Sequence, residues 1–196
     1  MDPMIYKILS CHSDSVQEGW ERRLVDLLGS KPRRLSRWCE LGLWGALSCV
    51  RKVSDDDLSS TVSIRVYSEN GTIHATRKAL AQTDEHLPMP VTFMQTLPGQ
   101  LFNAIGAAVE WHGDGCTVAA ATRQQAEVTM LQNVQKMALL AWVDEVPTAI
   151  SRWILIERVA APALTSSWES VASLFEISDE MIWLQLGADG KLFQAR

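Results

Sequence analysis

The sequence predicts a layered α/β fold with a mostly parallel central sheet flanked by helices. Two observations support it. Short apolar segments of strand character alternate with helical segments along the chain. The 196 residues, 47% hydrophobic and 21% charged, are also sufficient and suitably balanced for one globular core.

The first strand is expected at Ile5–Leu9. Val16, Trp20, Leu24, Leu27 and Leu28 recur at helical spacing within 15–28, and Gly29 and Pro32 end that helix. A second helix is expected over 33–52 on a broad stripe that includes Leu35, Trp38, Cys39, Leu43 and Leu47. Gly42 and Gly45 lower its propensity, which implies close approach to a neighbouring element. Residues 54–60, with three consecutive aspartates, read as a solvated loop. Residues 61–67 alternate Val62, Ile64 and Val66 with polar residues, as a strand does. After the turn at Glu69–Gly71, a helix is expected over 72–83 and a break at 87–90. Another helix is expected from about Gln100.

Beyond the turn at 112–115, residues 116–121 read as a short, buried, central strand. Thr122 is placed as N-cap of a helix over 122–137, with Gln125 as its capping-box partner. Buried strands follow at 138–143, ended by Asp144–Glu145, and at 153–159. The tail is expected to hold a helix near 166–175 and strands at 181–186 and 191–194, joined as a hairpin across Ala188–Gly190. We read residues 1–196 as one domain, with 163–196 as an add-on.

A net charge of −5 gives no basic footprint for nucleic acid. The N-terminal residues lack a signal-peptide core, and no apolar run reaches about 20 residues, so a cytoplasmic protein without a membrane span is expected. Cys11, Cys39, Cys49 and Cys116 form no CxxC pair, and Cys39, Cys49 and Cys116 are expected as buried thiols of a reducing compartment. His12, His74, His86 and His112 show no ligand spacing and are expected on the surface. Neither a metal nor a cofactor is expected, and no Gly-rich phosphate loop or GxSxG elbow is present. Asp144–Glu145 ends a strand where α/β proteins place sites, although a strand-terminating turn explains it equally simply. Most of the eight tryptophans are expected in the core.

Several segments together resemble short β-ketoacyl-synthase-like proteins. They are Arg33-Arg34-Leu35-Ser36-Arg37 continuing through Cys39–Leu43, and Tyr67-Ser68-Glu69-Asn70-Gly71 leading into Ala75-Thr76-Arg77. Met89-Pro90-Val91-Thr92-Phe93 with Asn103-Ala104-Ile105-Gly106 follows, then Thr117–Ala121, Leu139–Glu145 and Trp153–Arg158. The resemblance spans about residues 33–159. It implies the amino-terminal half of the thiolase-like condensing-enzyme fold.

In condensing enzymes of that family a nucleophilic cysteine stands at a strand-to-helix elbow, where the helix N-terminus favours thiolate. The matching position here is Thr122, a poor acyl nucleophile without an activating base. Cys116 lies six residues upstream and is the alternative. The family's second half, which supplies two catalytic histidines, is not contained in these 196 residues. The resemblance therefore implies a non-catalytic subunit of a type II fatty-acid or polyketide-type pathway. Such a subunit would form a homodimer, or a heterodimer with a synthase-like chain, and would meet an acidic acyl carrier protein through Arg33, Arg34 and Arg37. An acyl-transfer or thioester-hydrolysing enzyme using Thr122 or Cys116, and an interaction module sharing only the fold, are the alternatives.

Overall fold

The computed structural model describes residues 3–13, 16, 18–53, 62–160, 167–177 and 181–196. The loop expected at 54–60 lies outside them. Eight strands form one sheet in the order β3-β2-β4-β5-β1-β7-β8-β6. They are β1 (Met4–His12), β2 (Ser63–Tyr67), β3 (Gly115–Val118), β4 (Met137–Asp144), β5 (Ile150–Val159), β6 (Glu169–Val171), β7 (Trp183–Leu186) and β8 (Leu192–Ala195). Among the described residues six α-helices accompany them: α1 (Trp20–Leu28), α2 (Arg37–Val50), α3 (Ile73–Asp84), α4 (Pro90–Gln95), α5 (Gly99–Val109) and α6 (Arg123–Gln132).

The α/β class is the one expected, but the sheet is not mostly parallel. Among the described strands only β2–β3 and β2–β4 run parallel. The pairs β4–β5, β5–β1, β1–β7, β7–β8 and β8–β6 are antiparallel. The cause is connection length. A helical crossover separates β2 from β3 and β3 from β4, whereas a five-residue link returns the chain directly from β4 into β5.

The central strands are apolar on both faces. Leu139, Ala141 and Val143 of β4 and Trp153 and Leu155 of β5 face a core built with α1, α2 and α5. Ala138, Leu140, Ile154 and Ile156 face the opposite core with α6 and the tail. This period-2 division of a continuous apolar run is what a covered strand requires. Gly42 and Gly45 provide the close approach expected of them. A Cβ on Gly42 would press into Leu101 of α5, and one on Gly45 would collide with Ser151 and Trp153 of β5.

The tail differs from expectation. Instead of a helix over 166–175, the chain forms β6 and a single 3-10 turn at Leu174–Glu176. Its apolar residues, Leu174, Phe175 and Ile177, are spent on the second core rather than on a helical stripe. The expected β7–β8 hairpin is present. Tyr6 fastens β1 to the far end of α6 through its hydroxyl, which donates to Leu131 O at 2.8 Å. Burial pushes that phenol up to about 12.

Two burial expectations are corrected. His12 is buried, packing edge-on against Trp44 at 4.7 Å between ring centroids, because β1 extends three residues beyond its expected end. Cys116 is exposed, because β3 is the edge of the sheet rather than a central strand. Cys11, Cys39 and Cys49 are buried free thiols, and burial pushes Cys39 upward.

Candidate functional site

The strand-to-helix junction expected as an elbow is formed by β3 and α6. Thr122 stands between them in extended conformation (φ −138°, ψ 155°) and caps α6. Gln125 N–H donates to Thr122 Oγ1 at 3.2 Å. The hydroxyl oxygen therefore satisfies one of the free amides that begin every helix. That is a structural task, and it occupies one of the two lone pairs of the hydroxyl oxygen. Cys116 lies back along β3, opposite Arg65 in the ladder, away from the helix N-terminus that would favour its thiolate.

Asp144 and Glu145 end β4 beside the turn that follows β2. The buried Asp144 carboxylate accepts four hydrogen bonds: from Ser68 Oγ at 2.8 Å, Asn70 N at 2.9 Å, Glu69 N at 3.0 Å and Trp142 Nε1 at 2.8 Å. Ser68 Oγ in turn accepts from Gly71 N at 2.7 Å and Trp38 Nε1 at 3.2 Å. Glu145 Oε1 accepts from His74 N at 3.0 Å, placing a carboxylate at the positive end of α3. Asp144 is thus shared between two backbone and two side-chain donors, while Glu145 engages one backbone amide through Oε1 and keeps Oε2 buried without a hydrogen-bond partner. The arrangement moulds the β2–α3 turn and leaves no oxygen of Asp144 free to act as a base.

The arginine cluster divides. Ser36, whose side chain accepts from Cys39 N at 3.1 Å, starts α2, so Arg33 and Arg34 lie ahead of the helix. They are exposed, and Arg34 adopts a left-handed conformation (φ 66°). Arg37 is inside the helix, 3.6 Å from Glu21 and 5.9 Å from the Trp20 ring centroid. Of the three, Arg37 alone stands within the first turn of α2, where a positive charge opposes the helix dipole, and it has its own acidic partner in Glu21.

Arg33 borders a depression of about 390 Å³ that runs between Leu35, Leu43 and the small residues Ala104 and Ala107 of α5. Across α5 lies a groove of about 790 Å³, floored by Phe102, Trp111, Gly113 and Gly115 and bounded by Leu97. Leu97 also ends an apolar surface composed of Leu87, Met89, Val91, Phe93 and Met94, each 43% to 67% exposed. No charged residue occurs from Leu87 to Val109. Leu97 joins this surface to the groove, and Gly115 joins the groove to β3, the edge strand among the described residues.

Sequence reasoning missed a second cluster. Trp142 of β4 has the Arg123 guanidinium 4.6 Å and that of Arg152 5.8 Å from its ring. Glu127, one turn along α6 from Arg123, is fully buried. Its carboxylate accepts from Ser173 Oγ at 2.6 Å and Leu174 N at 3.0 Å, and lies 3.4 Å from Arg123. Burial raises its pKa, against the opposing pull of those donors. The i,i+4 spacing of Arg123 and Glu127 was the available signal. Among the described residues no group of His, Cys, Asp or Glu could hold a metal ion, and no helix is long and apolar enough to cross a membrane.

No family model and no curated protein matches the chain by sequence. Solved structures do match it by fold. One is a ketosynthase in complex with its chain length factor from Xenorhabdus doucetiae (TM-score 0.50, 14% identity, 88% of this chain and 83% of that one). The ishigamide ketosynthase/chain length factor gives 0.52 at 12% identity, over 81% of this chain and 59% of that one. A type II polyketide synthase acyl-carrier protein in complex with its ketosynthase bound to the hexaketide gives 0.55 at 10%, over 79% and 62%. At these identities the likeness concerns architecture. The chain is built on the mixed α/β, thiolase-like fold of the ketosynthases.

Proposed function

We propose that this chain is a non-catalytic, β-ketoacyl-synthase-like subunit of a type II fatty-acid or polyketide-type system. It pairs with a second synthase-like chain, either its own copy or a catalytic partner. The observation that carries the reading is the apolar surface of α4, uncharged from Leu87 to Val109, which continues through the α5 groove toward β3, the edge strand among the described residues. An apolar surface of this kind beside an unpaired strand suits burial against another chain. Thr122 at the elbow, with its hydroxyl acting as a helix cap, supports the non-catalytic half of the proposal. Arg33 and Arg34, exposed ahead of α2, are the residues offered to an acidic carrier protein. Arg37 contributes less, because Glu21 already neutralises it.

Size-exclusion chromatography with light scattering tests the pairing, on the chain alone and mixed with a ketosynthase and an acyl carrier protein. A dimer, or a stable complex with the ketosynthase, is expected. A monodisperse monomer that binds neither protein at micromolar concentration overturns the proposal.

One observation favours a second reading, acyl transfer or thioester hydrolysis: the Cys116 thiol is exposed instead of buried. Incubation with acyl thioesters followed by intact-mass measurement separates the readings. The non-catalytic subunit gives neither adduct nor hydrolysis. A stoichiometric adduct lost in Cys116→Ser or Thr122→Val would establish the enzyme instead.

A further inference from the structure

Residues 173–177 cross the second face of the sheet without a ladder of their own. The adjoining β6 is paired over only three residues, at the rim of the sheet. Beyond it the segment is anchored by three side chains from two other elements. Glu127 of α6 receives Ser173 Oγ and Leu174 N. Arg152 of β5 donates to Phe175 O at 3.1 Å. Arg123 of α6 lies 3.5 Å from Glu176. Beneath these polar ties, Phe175 sits against Trp142, 6.3 Å between ring centroids, and Leu174 and Ile177 are buried.

The two bonds to Glu127 dominate. Its side chain is 1% exposed, so each oxygen has exchanged water for one specific donor of the segment. Hydrogen bonds to a buried charge are worth about twice a neutral one, and a buried carboxylate deprived of its donors is costly. Ser173 Oγ also accepts from Phe175 N at 3.1 Å, so the hydroxyl that grips Glu127 shapes the 3-10 turn as well. Strands β4 and β5 beneath are paired with each other over eight residue pairs that do not involve the segment. Removing it therefore leaves their backbone bonds intact.

We propose that residues 173–177 form a latch, fastened on the Glu127 carboxylate, which opens as a unit over Trp142 while the sheet below stays folded. Opening uncovers Trp142 and the two arginines beside it. Through Arg123 it also alters the residue that directly follows Thr122, so the state of the tail is transmitted to the elbow. The device rests on these contacts alone and is independent of the pairing proposed above.

Hydrogen exchange of the full chain, read by mass spectrometry at neutral pH, tests it. Glu127→Gln keeps the volume but sets an amide NH2 against one of the two donors, and Ser173→Ala removes the hydroxyl grip alone. Each variant is expected to exchange residues 173–177 at least about tenfold faster, the equivalent of one lost hydrogen bond, while residues 137–144 and 150–159 keep wild-type rates. Lys191→Gln, which breaks the exposed Lys191–Asp189 ion pair on the neighbouring hairpin, serves as control and should leave the segment unchanged. Acceleration shared equally by the two strands, an equal response to Lys191→Gln, or unchanged rates in either latch variant would overturn the proposal.

Discussion

At the scale of single residues, the buried carboxylates divide the work of the fold. Asp144 is satisfied by four donors, so its charge is distributed over a turn it holds in place. Glu127 is the less comfortable group, because its burial outweighs its donors and raises its pKa. The sign follows from linkage: a carboxyl that binds its proton more tightly in the folded state gives stability at acid pH and loses it as pH rises through the folded value. The stability of the wild type relative to Glu127→Gln should thus be greatest below the ordinary glutamate range and decline toward neutrality, as parallel urea titrations across pH would measure. A difference that is constant with pH would show that Glu127 does not titrate in this window. In sequence the i,i+4 spacing of Arg123 and Glu127 was the one signal for Glu127, and Asp144 read as the end of a strand; the bonds that define both roles were not legible. Apart from Trp142, two residues from Asp144, the partners are backbone amides and the serines Ser68 and Ser173, brought from 46 or more residues away.

At the scale of elements, the sequence was most informative where local chemistry decides. The Thr122 cap forms as its pattern indicated, and α6 begins at the next residue. Thr122→Ala should cost about 1 kcal/mol of stability, and Thr122→Ser nearly nothing, by denaturant titration. If Thr122→Ala is neutral, the cap is not holding α6. The strands β4 and β5 were readable because apolar residues on both faces leave few other solutions. The strand expected at 116–121 as buried and central differs for the same reason. Ala119–Ala121 extended an apolar pattern, yet the strand stops at Val118, and the sheet ends there. Composition does not distinguish an edge strand awaiting a partner from a central strand that already has two. The tail shows the complementary error: Leu174 and Phe175 fit a helical stripe, but a sheet face needing cover claimed them.

At the scale of the whole molecule, the two faces of the sheet are covered by different means. Helices α1, α2 and α5 cover one; α6 and the tail cover the other. The apolar surface that remains open is therefore lateral, at α4 and β3. If pairing occurs there, Phe93→Asp and Thr117→Lys should each shift the assembly toward monomer by at least about tenfold in Kd while leaving thermal unfolding of the monomer nearly unchanged, since both side chains are exposed. Sedimentation measurements on the two variants provide the check, and retention of the wild-type assembly in both would move the contact elsewhere. The resemblance read from the sequence reached the architecture. It did not reach this surface, because exposure of Leu87 to Leu97 depends on where α4 lands, not on any motif it carries.

The two ends of the sheet are unequal, and if pairing occurs at β3 that inequality limits its stoichiometry. One end is β3, uncharged and open; the other is β6, three residues long and beginning with the exposed Glu169. A chain adhesive at both ends would add copies without limit and grow into a filament. A chain adhesive at one end satisfies itself with a single neighbour, and growth terminates at two.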